Sequence, residues 1–165
     1  MLVKSIPEEN LKRLGLELPP CPIPVGSYVP ASEASGFVFV SGHTPNVDDN
    51  PAYYGQVGKD ISVEEATRAA ELCALRCLSA LRSIVGSLDR VESILKVTGY
   101  VNSWPGFGEQ PKVINGASLL LEKVFGENGK HARAAIGVAG LPGNAAVEVE
   151  LVAYVWNSNG LQAAR

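Results

Sequence analysis

The chain has 165 residues, of which 46% are apolar and 19% charged, and its 14 Lys and Arg against 17 Asp and Glu give a formal charge of −3. One compact domain fits that length, and a chain of this size buries roughly 70% of the surface its unfolded form exposes, so its core needs neither disulfides nor a metal. The three cysteines, an odd number, are not a secreted disulfide framework, a pI near 5.4 argues against a general nucleic-acid binder, and no segment approaches the ~20 apolar residues of a membrane helix.

Residues 1–24 read as an N-terminal helix and a Pro-rich connector. Ser5 and Glu8 have capping-box spacing, Leu11 and Leu14 supply a short apolar face, and Gly15 can stop the helix. Lys4, Glu8, Glu9, Lys12 and Arg13 interrupt any signal-peptide core, so the expected location is cytoplasmic. Pro19, Pro20, Pro22 and Pro24 then favour an extended path. A single domain is expected over residues 25–156, with a frayed tail at 157–165.

Within that domain, Tyr28, Val29 and Phe37 to Val40 have strand chemistry, with a turn at Ala34-Ser35-Gly36. A polar loop covers 46–54 and a short strand 55–57. Ser62 and Glu65 form a second capping box, after which Ala66, Ala69, Ala70, Cys73, Cys77, Leu81 and Ile84 recur at helical spacing. A strand containing Ile94, Leu95, Val97, Tyr100 and Val101 follows, broken by Gly99, and residues 104–111 read as a loop. A second helix is predicted over 112–125 with Val113, Ala117, Leu120, Leu121 and Val124 as its buried stripe. Two strands, 132–139 and 145–155, flank the turn Leu141-Pro142-Gly143-Asn144; in the last, Val147, Val149 and Leu151 alternate with Glu148, Glu150 and Val152. The order predicts an α+β fold, a two-layer mixed sheet with two helices on one face. Its other face lacks a cover, for which self-association is the simplest solution.

The chain has no HExxH, CxxC, GxSxG or Walker-type loop, so neither a metal nor a cofactor is expected. Cys73 and Cys77 read as core packing, and Cys21 has no visible base nearby. Arg133 precedes the uncharged run Ala134 to Ala139. It sits either at a wet rim or in a pocket, where its fork can grip a carboxylate. Glu148 poses the same alternative, solvated face or site. His131, two residues before Arg133, falls on the same strand face by period-two counting.

The run HARAAIGVAGLPGNAAVEVELVAYV resembles the C-terminal signature of the RidA/YjgF family of enamine/imine deaminases: an arginine, a Val-x-x-Leu-Pro turn and a Val-Glu-Val/Ile-Glu strand. PIPVGSYVPASEASGFVFVSGHTP is similar to the family's Pro-x-Gly-x-Tyr opening and Ser-Gly-Gln-x-Pro motif. The likeness spans about 25–155 and implies a chorismate-mutase-like fold and homotrimers with sites between subunits. It makes Arg133 the clamp for a small-molecule carboxylate substrate, lined by the backbone of Gly42 and Ala135, and Glu148 the group that orients water and moves its proton. Tyr28 would close the pocket, and Asn115 would bind substrate. His43 stands where the family more often has glutamine, and Ala135 where many members have a reactive cysteine; the 104–111 loop and the N-terminal extension are departures too.

The resemblance implies hydrolysis of 2-imino acids to 2-oxo acids and ammonia, which takes an anion clamp and a base and needs neither metal nor cofactor. Burial would raise the pKa of Glu148 while a neighbouring Arg133 would lower it. The alternatives are a non-catalytic trimeric binder of carboxylate metabolites, an endoribonuclease, disfavoured by the acidic balance, and a related hydrolytic step in a catabolic pathway. His43 is a possible pocket residue or part of the turn.

Overall fold

The computed structural model describes residues 6–47 and 50–156, so the predicted tail and the Ser5 cap lie outside the described residues. Helix α1 spans Pro7–Arg13 and ends at Gly15, whose φ of 66° is left-handed. Its first turn has no side-chain cap of its own. Glu8 is engaged elsewhere: its Oε1 accepts from the Leu88 amide at 2.9 Å, while Asp89 Oδ1 accepts from the Glu8 amide at 3.0 Å. The two acids thus cap α1 and the short 3-10 turn Leu88–Arg90 reciprocally and fasten α1 to the body.

Strands β1 (Ala31–Ala34) and β2 (Phe37–His43) form the predicted hairpin, turning at Ser35 and Gly36 with φ of 53° and 84°. Tyr28 and Val29, expected in a strand, lie before β1 and are exposed. Proline at 30 removes one ladder donor beside them, so pairing begins only after it. The polar loop carries a minimal ladder of β3 (Asn46–Val47) and β4 (Asn50–Pro51), and the strand expected at 55–57 is reduced to isolated bridges at Tyr54 and Val57.

Helix α2 (Val63–Val85) starts at the predicted box: Ser62 Oγ accepts from the Glu65 amide at 3.2 Å, and Glu65 Oε2 accepts from the Ser62 amide at 3.0 Å. Its small stripe, Ala66, Ala69, Ala70, Cys73 and Cys77, is fully buried, whereas Ile84, expected on that stripe, is exposed in the last turn. The thiols donate to the carbonyls of Val147 at 3.6 Å and Val149 at 3.2 Å, so the helix lies close on the sheet. Burial pushes both thiols up, which makes them packing groups rather than nucleophiles.

Strand β5 (Val91–Asn102) runs unbroken through Gly99. Any Cβ there would overlap Ile114 of helix α3 (Gln110–Phe125), so the glycine admits a helix rather than ending a strand. Strand β6 (Ala132–Val138) pairs parallel to β5, and β7 (Val147–Val155) pairs antiparallel to both β5 and β2. The five strands lie in the order β1-β2-β7-β5-β6, with β6 at one edge. Val147, Val149, Leu151 and Ala153 face α2 and α3 and are buried; Glu148, Glu150, Val152 and Tyr154 face the other way. This is the expected two-layer α+β fold. Its helix-free face carries exposed Phe37, Phe39 and Ile136. No helix among the described residues is long and apolar enough to cross a membrane.

Candidate functional site

Arg133 is the second residue of β6 and aligns with Val97 of β5, so its side chain leaves the sheet on the helix side. There α3 presents Asn115 and Ser118, one helical turn apart. Arg133 Nη1 donates to Asn115 Oδ1 at 2.8 Å and to Ser118 Oγ at 3.1 Å. Ser118 Oγ is 2.9 Å from His131 Nε2, and His131 Nδ1 is 2.6 Å from the Gly129 carbonyl. A carbonyl only accepts, so Nδ1 carries the proton. Nε2 then accepts from the Ser118 hydroxyl, whose oxygen is left to receive the guanidinium. Burial holds His131 below its ordinary pKa, which keeps it neutral in that role at pH 7. Arg133 therefore stands at the edge of a cavity of about 290 Å³ with one nitrogen held from behind. Among the described residues no carboxylate lies within 4 Å of it. Ala135 follows two residues later on the same face, half-buried beside Gly99.

The other expected site residues gather elsewhere. Tyr28, Gly42 and His43 line a separate cavity of about 290 Å³ between the proline connector and α2. Glu148 projects on the helix-free face, opposite Tyr100 and against Gly42, where any Cβ would overlap its carboxylate. Burial, then the charge of Glu150, raises the Glu148 pKa. The opposing pull expected from Arg133 does not arise within one protomer. Arg133 and Glu148 stand on opposite faces, three residues apart in register with β5 between them. Their backbones are thus about 14 Å apart, from standard strand spacings.

Two residues escaped the sequence reading. Arg76 is buried in the cavity of Tyr28 and His43; its spacing of three from Cys73 already placed it on the apolar stripe of α2. Ser118 joins His131 to Arg133, a link that depends on where α3 crosses the edge strand and that no spacing foretells. Among the described residues no group of three or more His, Cys, Asp or Glu could hold a metal ion.

These elements are those of a known class. Residues 8–155 match the family described as "YjgF/chorismate_mutase-like, putative endoribonuclease". Protein TCP17 of Trypanosoma cruzi is 44% identical over 90% of this chain and 93% of its own. Among solved structures, the protein Atu1372 of Agrobacterium tumefaciens, described as of unknown function, superposes with a TM-score of 0.84 at 41% identity, covering 92% of this chain and 94% of that one. One from Shewanella oneidensis MR-1, described as a putative endoribonuclease, gives 0.88 at 34% identity, covering 92% and 100%. The chain belongs to the RidA/YjgF family, as its two signatures imply.

Proposed function

We propose that the protein hydrolyses small 2-imino acids and their enamine tautomers to 2-oxo acids and ammonia, in a site shared by two copies of a homotrimer. The observation that carries this reading is Arg133: a guanidinium braced from behind by Asn115 and Ser118 at a sheet edge, with no carboxylate among the described residues within 4 Å, the nearest acidic member of its cavity lining being Glu122, which makes no ion pair with it. Such a fork is shaped for a substrate carboxylate. One copy then contributes Arg133, Asn115 and the backbone of Ala135, and its neighbour contributes Tyr28, Gly42 and Glu148. Separation of these groups within one protomer supports the division.

With the carboxylate clamped, the protonated imine carbon is open to water. Glu148 takes a proton from the water as its oxygen bonds to that carbon, giving a carbinolamine. The same carboxyl returns the proton to nitrogen; as the C–N bond breaks and the C=O bond forms, the Glu148 carboxylate takes the hydroxyl proton, and ammonia leaves with the 2-oxo acid and carries that proton off as ammonium. A carboxyl raised by burial suits both directions of transfer. Gly42 keeps open the space that the Glu148 carboxylate occupies.

The test is release of ammonia and 2-oxo acid from imines generated in situ by an amino-acid oxidase. Protein that adds nothing to the buffer rate contradicts the reading. Arg133→Ala removes a charged hydrogen bond worth about 1.5–3 kcal/mol, so kcat/KM falls by about one to two orders of magnitude. Arg133→Lys recovers little, because a point charge lacks the fork. Calorimetric binding of 2-oxobutyrate without turnover would instead favour a carboxylate sensor. RNA cleavage, the activity named for the family and the Shewanella relative, predicts degradation that survives Arg133→Ala.

A further inference from the structure

His131 stands beside the proposed clamp and has no part in the chemistry assigned to it. Both of its ring nitrogens are committed to the protein: Nδ1 donates to the Gly129 carbonyl at 2.6 Å, and Nε2 accepts from the Ser118 hydroxyl at 2.9 Å. Ser118 is 8% exposed on α3, and with its one hydrogen held by His131 its oxygen is an acceptor only. Arg133 Nη1 thus has two acceptors, Ser118 Oγ at 3.1 Å and Asn115 Oδ1 at 2.8 Å, enough for both of its hydrogens. A guanidinium can grip a carboxylate end-on through Nη1 and Nη2 or side-on through Nε and Nη2. With Nη1 engaged the end-on grip is closed, and no bond from Nε or Nη2 to another described residue competes for the side-on edge.

We propose that His131 is a positioning residue acting through Ser118: by holding the hydroxyl it keeps Nη1 engaged, so that Arg133 offers the substrate carboxylate its Nε–Nη2 edge alone. The inference rests on the reading of Arg133 as the substrate clamp and gives that clamp an orientation. Without an acceptor at residue 131 the Ser118 hydroxyl turns to other partners, such as a carbonyl of its own helix one turn back, and its oxygen no longer holds a lone pair toward Nη1. Both grips are then open, and the carboxylate has two ways to sit where it had one. The imine carbon is bonded directly to the carboxyl carbon. Fixing the carboxylate therefore fixes the line along which water, delivered by Glu148 of the neighbouring copy, reaches that carbon.

The experiment is titration of the full-length protein with 2-oxobutyrate, followed by calorimetry and by the Arg133 Nε–H resonance. In the wild type the carboxylate takes the Nε edge, so that resonance moves downfield as the site fills. His131→Leu, which has no acceptor, is expected to bind about tenfold more weakly and to show a reduced Nε–H shift. His131→Gln restores an acceptor near the place of Nε2 and recovers most of both. Ser118→Ala reproduces His131→Leu from the other end of the chain. Should His131→Leu not fold, ring nitrogen shifts of the ligand-free wild type still decide: they report the Nδ1–H tautomer, and an Nε2–H tautomer would overturn the proposal. Equal affinity and equal Nε–H shift in His131→Gln and His131→Leu would overturn the positioning role and leave Arg133 as the clamp. A wild-type Nε–H that stays put at saturation would overturn the side-on edge, and a wild type that binds no 2-oxobutyrate would overturn the clamp and this proposal with it. Binding as expected without imine hydrolysis would count against the deaminase reading alone, so the two failures are distinguishable.

Discussion

Arg133 is held through a chain of fixed direction, from the Gly129 carbonyl through His131 and Ser118 to one guanidinium nitrogen. The alternative of a free rim arginine predicts an unbraced side chain, and the brace is what separates the two readings. His43 carries a different consequence. Its folded pKa of about 4 lies below the 6.5 of an unfolded histidine, so between those values the unfolded chain binds more protons. Stability is therefore complete above pH 6.5 and is lost as pH falls toward 4, by up to about 3 kcal/mol. In His43→Gln that component disappears; chemical denaturation at pH 7 and at pH 4.5 should show a smaller loss in the variant than in the wild type, and an equal loss would contradict a buried neutral histidine. Arg133 and Glu148 were legible as candidates because each breaks an otherwise apolar or alternating pattern. Arg76 was legible only as a member of the α2 stripe, by its spacing of three from Cys73, and that spacing does not announce what its guanidinium faces.

Among the elements, α2 was the most legible, because two local signals agree there: a reciprocal cap at Ser62 and Glu65 and an alanine stripe of helical period. Ser62→Ala removes one half of that cap and should cost about 1 kcal/mol, read as a lower denaturation midpoint at unchanged slope. Tertiary contacts decided the elements that local pattern misjudged. Gly99 weakens a strand on paper yet lies within one, because Ile114 occupies the place of its Cβ. Glu8, whose spacing suggests only a local cap, receives the Leu88 amide, eighty residues away. Likewise Gly116 of α3 lies against the Thr67 carbonyl of α2, a close approach that no propensity records. Gly116→Ala should therefore destabilise by about 1–3 kcal/mol through overpacking, although alanine is the better helix former. A stabilised variant would show that the two helices are not in that contact.

At the scale of the molecule, the sheet has one face filled by α2 and α3 and one that presents Phe37, Phe39 and Ile136 beside Glu148 and Glu150. A monomer rarely leaves large apolar side chains such as these exposed on a sheet face that no helix covers. The need for a cover was readable from two helices against five strands; the arrangement of copies was not, since it depends on shape. The proposed trimer predicts that Phe39→Glu, a charge placed on that face, shifts sedimentation from trimer toward monomer and lowers imine hydrolysis with it. A wild-type monomer that hydrolyses imines would contradict a shared site.

The division of the site between copies is tested most directly by complementation. Arg133→Ala and Glu148→Gln are each expected to be inactive alone. Unfolded together in equal amounts and refolded, they form rings in which some interfaces join an intact Arg133 to an intact Glu148, about one in four for random mixing in a cyclic trimer. The account predicts that imine hydrolysis returns to about a quarter of the wild-type rate. Mixed rings with no activity, from variants that each fold and assemble, would place both groups at the same copy's site or outside the chemistry, and would contradict it.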